Sequence, residues 1–219
     1  MIILCVRWYF SYKLSFRDLV EMMGERGLRL SHTTIMRWVQ RYAPEFEKRW
    51  TRFACKGGPS WRVDETYLKV RGKWVYLYRA VDRDGNTIYF RLSPTRDVAA
   101  AKAFFRKALR TQQRAPVSIT LDGYAASRRA VRKMAGEDEA WKHTKLRSSK
   151  YLNNLIEQDH RGIESTTGPM LGFKNSDCAS TTIAGIELLR RIRKGQFALG
   201  RLYLKNQTAP AIWNAVLAA

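Results

Sequence analysis

The sequence predicts an α/β protein in which a small all-α region precedes a mixed sheet flanked by helices. Residues 1–53 show helical periodicity, whereas residues 61–92 alternate in the way that strands do. Helical and short apolar segments then follow one another. Between the first two patterns, residues 54–60 contain Gly-Gly-Pro and predict a linker. We therefore expect a helical region over residues 1–53, a sheet domain over residues 61–194 and a tail over residues 195–219.

The helical region contains a pair of helices joined by a glycine-containing turn. Ser15 is placed to cap a helix over residues 16–26, and Ser31 to cap a second over residues 32–42. Residues 2–12 form a further amphipathic helix with no capping residue before it, so we expect a truncated amino terminus. A helix pair of this kind is typical of a helix-turn-helix DNA reader, and a small helical cap is the alternative.

The chain carries a large excess of positive charge, since 40 lysines and arginines face 19 acidic residues and the net charge is +21. Spread over segments with folded patterns, this excess predicts a polyanion partner such as nucleic acid. Ribosomal, RNA-binding and membrane-surface proteins share such a composition, so charge alone does not identify a reaction. The DNA-contact candidates, on the outward face of the second helix, are Thr33, Thr34, Arg37, Gln40 and Arg41.

Neither a membrane nor an oxidising compartment is indicated. No apolar run reaches the roughly 18 to 20 residues that span a bilayer, and the apolar start has no cleavage site. The three cysteines lie far apart and predict free thiols in a reducing compartment. We expect no membrane partner and a cytoplasmic location.

The order of the later elements predicts the sheet. Strands are expected over residues 61–70, 73–82 and 87–92, because these segments alternate, are rich in aromatic and β-branched residues and are separated by glycine turns. Further strands are expected over residues 117–121 and 141–146. Helices are expected over residues 97–110, 125–134, 153–164 and 181–194. This order fits a ribonuclease-H-like mixed sheet.

Acidic residues are scarce in this basic chain, which makes three of them informative. Asp64 lies within the first strand, Asp122 ends the apolar strand after residue 117, and Glu157 lies on the helix that follows. An acid at a strand end is costly unless it is paired, hydrogen-bonded or bound to a metal. If the two strands are neighbours, the two aspartates converge and the helix can bring the glutamate to them.

Converging carboxylates of this kind predict a metal site. Three of them repel one another unless divalent cations lie between them. Oxygen ligands alone suit Mg²⁺ or Mn²⁺. Two such ions about 4 Å apart can activate a water or a 3′-hydroxyl and stabilise the leaving oxygen of a phosphodiester. Ordinary ion pairs with the surplus arginines are the alternative.

Other acids are expected to have lesser roles. Glu65 points to the opposite sheet face from Asp64 by strand alternation and is expected to form a salt bridge. Asp159 and His160 follow Glu157 on its helix, rotated about 200° and about 300° from it around the helix axis, and are at most outer neighbours of a metal site.

Several motifs resemble the IS Six family of bacterial insertion-sequence transposases over nearly the whole chain. They are Trp38-Val-Gln-Arg-Tyr-Ala-Pro, Val63-Asp-Glu-Thr-Tyr-Leu-Lys-Val-Arg-Gly-Lys-Trp, Leu77-Tyr-Arg-Ala-Val-Asp, Lys150-Tyr-Leu-Asn-Asn-Leu-Ile-Glu-Gln-Asp-His-Arg and Pro169-Met-Leu-Gly-Phe-Lys. Several long motifs in one order are far more specific than three acids.

The resemblance implies a helix-turn-helix followed by a ribonuclease-H-like DDE domain, with Asp64, Asp122 and Glu157 as catalytic carboxylates and metal ligands. It also implies Mg²⁺-dependent strand transfer by a multimer on inverted-repeat and target DNA, with cointegrate formation in the nucleoid of a bacterium. Arg161 and Lys174, which lie within these motifs, are further DNA-contact candidates.

One residue departs from the family pattern. The family places Lys or Arg seven positions after the catalytic glutamate, where this chain has Glu164. Residues at i, i+4 and i+7 share a helix face, so Glu164 is expected near the DNA phosphates and to weaken activity. A DNA-binding repressor without catalysis and a ribonuclease-H-like nuclease that cuts without joining are the alternative functions.

Overall fold

The computed structural model describes residues 1–122, 124–148, 154–168, 172–201 and 208–218. The first helices are α1 (Ile2–Ser11), α2 (Phe16–Gly24) and α3 (His32–Thr51). They are followed by β1 (Ser60–Val70), β2 (Lys73–Asp82), β3 (Thr87–Ser93), α4 (Val98–Gln112), β4 (Ser118–Leu121), α5 (Ala125–Glu137) and β5 (Lys145–Ser148). The last helices are α6 (Asn154–Thr167), α7 (Ser176–Arg193) and α8 (Ala209–Ala218).

The chain divides into two compact units. The sheet unit is Lys56–Glu164, and the helical unit combines Met1–Cys55 with Ser165–Ala219. This division groups α7 and the tail with the amino-terminal helices, whereas the sequence analysis assigned α7 to the sheet domain. The domain boundaries derived from the sequence stay a prediction.

The sheet unit has the mixed α/β fold that the sequence predicts. The strand order is β3-β2-β1-β4-β5. The first three strands are antiparallel because short turns join them, and one of these turns holds Gly72 at a positive φ of 74°. β4 and β5 run parallel to β1, so helices must connect them. The sequence-predicted ribonuclease-H-like order, with helices flanking a mixed sheet, is therefore confirmed.

One face of this sheet carries the main core. Trp61 and Val63 of β1 lie there with Tyr78 of β2, and Phe104 and Phe105 of α4 pack against them. The short strand predicted over residues 141–146 begins later than expected, because Trp141 lies in a 3-10 turn and its ring meets the rings of Trp61 and Phe105 edge-on. Burying an aromatic ring outweighs the local strand pattern there.

The helical unit is built around α3. Ser15 caps α2 through a capping box with Asp18, and Ser31 caps α3, as the sequence predicts. The prediction that α3 ends near Tyr42 is wrong, since the helix continues through Pro44 to Thr51. Proline removes one helical hydrogen bond, but buried side chains continue past it at helical spacing. Trp50, for example, is fully buried against Phe197 and Trp213.

Two further observations concern the ends of elements. Pro169, the first residue of the last family motif, lies outside the described residues. α8 lies in the segment that the sequence analysis left as a tail. Within the described ranges, no helix is both long and apolar enough to cross a lipid bilayer.

Candidate active site

Parallel pairing of β1 with β4 brings the two predicted aspartates together. Val63 pairs with Leu121 in the register of the two strands, and Asp64 and Asp122 are the next residues on each side. One carboxylate oxygen from each of Asp64, Glu65 and Asp122 lies within 4.8 Å of the other two. The convergence that was conditional on strand order is thus present, at the carboxyl end of β4.

Burial and repulsion make this group of acids unfavourable without a counter-charge. The pKa of Asp64 is raised from 3.8 to about 7, first because the side chain is buried and second because Asp122 lies beside it. The backbone N–H of Glu65 donates a 2.8 Å hydrogen bond to Asp64 Oδ1, which partly opposes the rise. Three carboxylates in this arrangement fit a divalent cation, which favours oxygen ligands and would relieve the repulsion.

Glu65 has the salt bridge that the sequence analysis expected. Its Oε2 accepts a hydrogen bond of 2.9 Å from the Arg96 guanidinium, and its Oε1 accepts one from the Ser127 hydroxyl. The Glu65 side chain is 2% exposed. Its pKa is raised by burial, and the bonds from Ser127 and Arg96 oppose that rise. Glu65 therefore belongs both to the group of three acids and to a buried ion pair with Arg96.

Sequence reasoning missed the two residues that support Asp122. The backbone N–H of Tyr124 donates to Asp122 Oδ1 at 3.1 Å. The Tyr124 hydroxyl donates to the Arg96 carbonyl oxygen at 2.7 Å, and the Arg96 guanidinium lies 3.6 Å from the centre of the Tyr124 ring. Arg96 thus connects Glu65 to the loop that holds Asp122. The available signal was the excess of arginine over acid, which made buried pairs expected without saying which arginine forms them.

Helix α6 approaches Asp64 on the sheet face opposite to the one that carries the main core. His160 Nδ1 lies 3.8 Å from Asp64 Oδ2, and the His160 side chain is 8% exposed. Glu157 lies one turn earlier on α6 and is exposed, and the structure does not include it in the group of three acids. The side chain of Asp159, another candidate neighbour, lies outside the described residues. His160 thus lies against a predicted metal ligand and is not within the group of three acids.

Glu164 has a partner on β1. The Thr66 hydroxyl donates a 2.8 Å hydrogen bond to Glu164 Oε1. The exposed Glu164 carboxylate is therefore held at Thr66, which lies two residues after Asp64 on β1. Arg161, the DNA-contact candidate between Glu157 and Glu164, is exposed.

The DNA-contact candidates of α3 belong to the helical unit. Arg37 and Arg41 are exposed, and the Arg41 guanidinium lies 5.7 Å from the centre of the Tyr42 ring. Other candidates are engaged locally, since the hydroxyls of Thr33 and Thr34 lie 2.8 and 2.9 Å from Ser31 Oγ. Gln40 Nε2 donates a hydrogen bond to Cys178 Sγ on α7. Lys174, the candidate that lies just before α7, is exposed.

Comparison with known proteins decides the family. The model of a DDE domain of the IS240 type matches residues 58–196. The transposase for insertion sequence-like element IS431mec of Staphylococcus aureus is 38% identical over 199 residues, which are 89% of this chain and 84% of that protein. The chain belongs to the DDE transposase family. Its motifs had indicated the IS Six family, and its relatives confirm that membership.

The transposase is also similar to a second insertion-sequence protein, and two solved structures align with part of it. The transposase for insertion sequence element IS257 in transposon Tn4003 of Staphylococcus aureus is 37% identical over 89% of this chain and 84% of that protein. The HTLV-2 integrase catalytic core domain in complex with magnesium aligns with a TM-score of 0.43 and 19% identity, over 74% of this chain and 98% of that one. A chain of the simian T-cell lymphotropic virus intasome in complex with PP2A regulatory subunit B56 gamma aligns with a TM-score of 0.45 and 11% identity, over 75% and 56%.

Proposed function

We propose that this transposase binds the terminal inverted repeats of an insertion sequence, cuts one DNA strand at each end and joins the released 3′-hydroxyl to target DNA. The catalytic residues in this proposal are Asp64, Asp122 and Glu157. The observation that carries it is the convergence of Asp64 and Asp122 at the adjacent ends of β1 and β4. Replicative transposition through a cointegrate, which the family resemblance implies, is the proposed outcome.

Mg²⁺ or Mn²⁺ is the proposed cofactor, with two ions held by the three catalytic carboxylates. Bound there, the ions would supply activation of the attacking hydroxyl and stabilisation of the leaving oxygen. Support comes from Asp64 and Asp122, whose carboxylate oxygens lie close together, and from the raised pKa of Asp64, which reflects burial and the neighbouring negative charge of Asp122.

The chain's own residues orient this set. The N–H of Glu65 holds one oxygen of Asp64, and the N–H of Tyr124 holds one oxygen of Asp122. His160 lies against the second oxygen of Asp64. Glu157 precedes His160 by one turn on α6, so the helix that contacts Asp64 also carries the third proposed carboxylate. Because fixed ligands need no rearrangement during the reaction, such positioning lowers the barrier.

DNA recognition is proposed for the helical unit. α2 and α3 form a capped helix pair, and α3 offers Arg37 and Arg41 to solvent. We propose α3 as the reading helix of a helix-turn-helix, with Thr33, Thr34 and Gln40 beside the two arginines. Arg161 and Lys174 are proposed to contact phosphate. Action as a homo-oligomer on double-stranded DNA, in the bacterial cytoplasm, completes the proposal.

The test is metal-dependent joining of a labelled insertion-sequence end to a plasmid by the full-length protein. Wild-type protein should give joined product with Mg²⁺ or Mn²⁺ and none with EDTA. Asp122→Asn should bind the same DNA and give no product. Nicks without joined product would show a nuclease instead, and DNA binding with neither product would show a repressor.

A further inference from the structure

The outer half of the β1–β2 hairpin exposes a row of aromatic rings, which we call the aromatic strip. Its members are Tyr67, Trp74 and Tyr76. Tyr67 is 48% exposed and Trp74 is 60% exposed, while Tyr76 is half-buried. Tyr67 pairs directly with Tyr76 across the two strands. The Tyr67 ring centre lies 5.4 Å from that of Tyr76 and 6.2 Å from that of Trp74, so the three rings form one surface.

Tyr76 packs against the core of the sheet unit, but packing does not account for the exposed rings of Tyr67 and Trp74. Strand alternation puts the aromatic strip on the same sheet face as Trp61, Val63 and Tyr78, which α4 and α5 cover. The strip is the continuation of that face beyond the helices. Contiguous exposed aromatic rings are rare on protein surfaces unless they mark a binding site.

Cations border the strip, and its segment has no acids. Residues 67–76 include Lys69, Arg71 and Lys73 and contain neither Asp nor Glu. Lys69 Nζ lies 5.4 Å from the centre of the Trp74 ring. At the other end, the Arg96 guanidinium lies 6.0 Å from the centre of the Tyr67 ring and donates to the Tyr67 hydroxyl at 3.2 Å. Aromatic rings between cations are suited to a ligand that is both planar and anionic, as a nucleotide is.

The strip is also continuous with the candidate active site. Arg96 contacts Tyr67 on one side, and on the other it pairs with Glu65 and lies over Tyr124. Tyr124 in turn holds Asp122. Tyr67, Arg96 and Tyr124 therefore form a continuous series of contacts from the strip to Asp122.

We propose that the aromatic strip is a stacking platform for unpaired bases of the DNA strand next to the cleaved or joined phosphate. The proposal rests on the proposed function and names the form of its substrate, a frayed or single-stranded end. Base faces are accessible to protein rings only where the bases are unpaired, whereas a duplex presents phosphates and groove edges. The cations of the strip would contact the backbone of the same strand, while Trp74 and Tyr67 stack on its bases.

The test measures binding in EDTA by the full-length protein, so that it does not depend on catalysis. The probes are a single-stranded oligonucleotide containing 2-aminopurine and a duplex of the same length. Wild-type protein should quench 2-aminopurine fluorescence in the single strand. Trp74→Ala should weaken single-strand binding by about tenfold and change duplex binding by less than about twofold. Trp74→Phe, which keeps a ring, should retain most of the binding.

Tyr12→Ala is the matched control, because Tyr12 is an aromatic residue of the helical unit that is 55% exposed. It should leave both affinities unchanged. Equal losses for single strand and duplex with Trp74→Ala, or no loss for either, would overturn the proposal. The proposal would also be overturned if Trp74→Ala changed the oligomeric state, measured by light scattering, and still quenched 2-aminopurine fluorescence. That result would assign the strip to a contact between copies of the protein.

A second measurement uses the wild-type protein only, so it stands if the variant does not fold. 5-Iodouracil placed in the single-stranded probe should crosslink on irradiation to the peptide that contains Tyr67 or Trp74. Crosslinks that map elsewhere in the sheet unit would contradict the proposal. Because neither measurement requires strand transfer, failure of the joining assay leaves these results interpretable on their own.

Discussion

Replacing Asp64 by asparagine should stabilise the metal-free transposase while it removes the metal site. The amide introduced by Asp64→Asn would keep an oxygen to accept from the N–H of Glu65 and would offer a donor towards Asp122, with no charge of its own. The wild-type carboxyl ionises only near neutral pH, against burial and against Asp122. Removing that charge from a buried acidic group relieves the cost of desolvation and of repulsion.

The size of this stabilisation and its pH dependence follow from the pKa of Asp64. Since folding raises this pKa from 3.8 to about 7, the folded state is favoured while the carboxyl is protonated, and that advantage is lost as the pH rises through this window. At about 1.36 kcal/mol per pKa unit, the ionised group costs the folded protein about 4 kcal/mol at pH values above the window and about 2 kcal/mol near pH 5. Asp64→Asn should therefore stabilise by about 2 to 4 kcal/mol near pH 8 and by less than about 2 kcal/mol near pH 5.

Thermal unfolding in EDTA at the two pH values measures this difference, and a second scan with Mn²⁺ measures the loss of the metal site. Mn²⁺ should raise the melting temperature of the wild type and leave that of Asp64→Asn unchanged. Asp84→Asn is the control, because Asp84 is an exposed turn residue of the same unit and its loss changes the net charge equally. A destabilised Asp64→Asn protein near pH 8, or one that Mn²⁺ still stabilises, would refute the reasoning.

Three further outcomes are expected. Arg96→Met should lower stability by about 3 kcal/mol, because Glu65 would stay buried without its salt bridge, with the Ser127 hydroxyl still bonded to it. It should also cut joined product at least about tenfold. Arg96→Lys should recover part of both in the same melting and joining assays. Glu164→Arg should raise strand transfer by purified protein, because it replaces a negative charge by a positive one where DNA phosphate is expected. Glu164→Gln keeps an acceptor for Thr66 and so separates charge from hydrogen bonding. Equal activity of the wild type and both variants would remove the idea. Gly185→Ala should destabilise the helical unit by about 1 to 3 kcal/mol because the new Cβ would overlap the Phe10 ring, while Gly24→Ala, with open space around it, should not, as urea unfolding will show.

β1, which carries Asp64, and its neighbour β2 were predictable because their sequence signals are local. Alternation and glycine turns placed β1 and β2 within one residue of their observed bounds. The end of α3 was not predictable from local sequence. Trp50 is buried against Phe197 and Trp213, which are distant in the chain, and this burial outweighs the local effect of Pro44. α8 was missed for the same reason, since the burial of Trp213 and Val216 is provided by the fold and not by the segment itself.

The site divides in the same way. The sequence singled out Asp64, Asp122 and Glu157, since few acids occur among many cations, but it left the neighbouring of β1 and β4 as a condition and did not place Glu65 with the two aspartates. Their parallel pairing meets that condition for Asp64 and Asp122. The contacts of Arg96 with Glu65 and of His160 with Asp64 join residues that lie far apart in the chain. No local periodicity encodes such contacts, because they depend on how the segment before α4 and the helix α6 pack on the sheet.

Mn²⁺ binding to the full-length protein, followed by electron paramagnetic resonance of the free ion, tests the metal site most directly. Wild-type protein should take up Mn²⁺, Asp122→Asn should lose most of that uptake, and Glu157→Gln should lower it. Uptake that is equal in all three proteins, or absent from the wild type, would contradict a site built from these carboxylates.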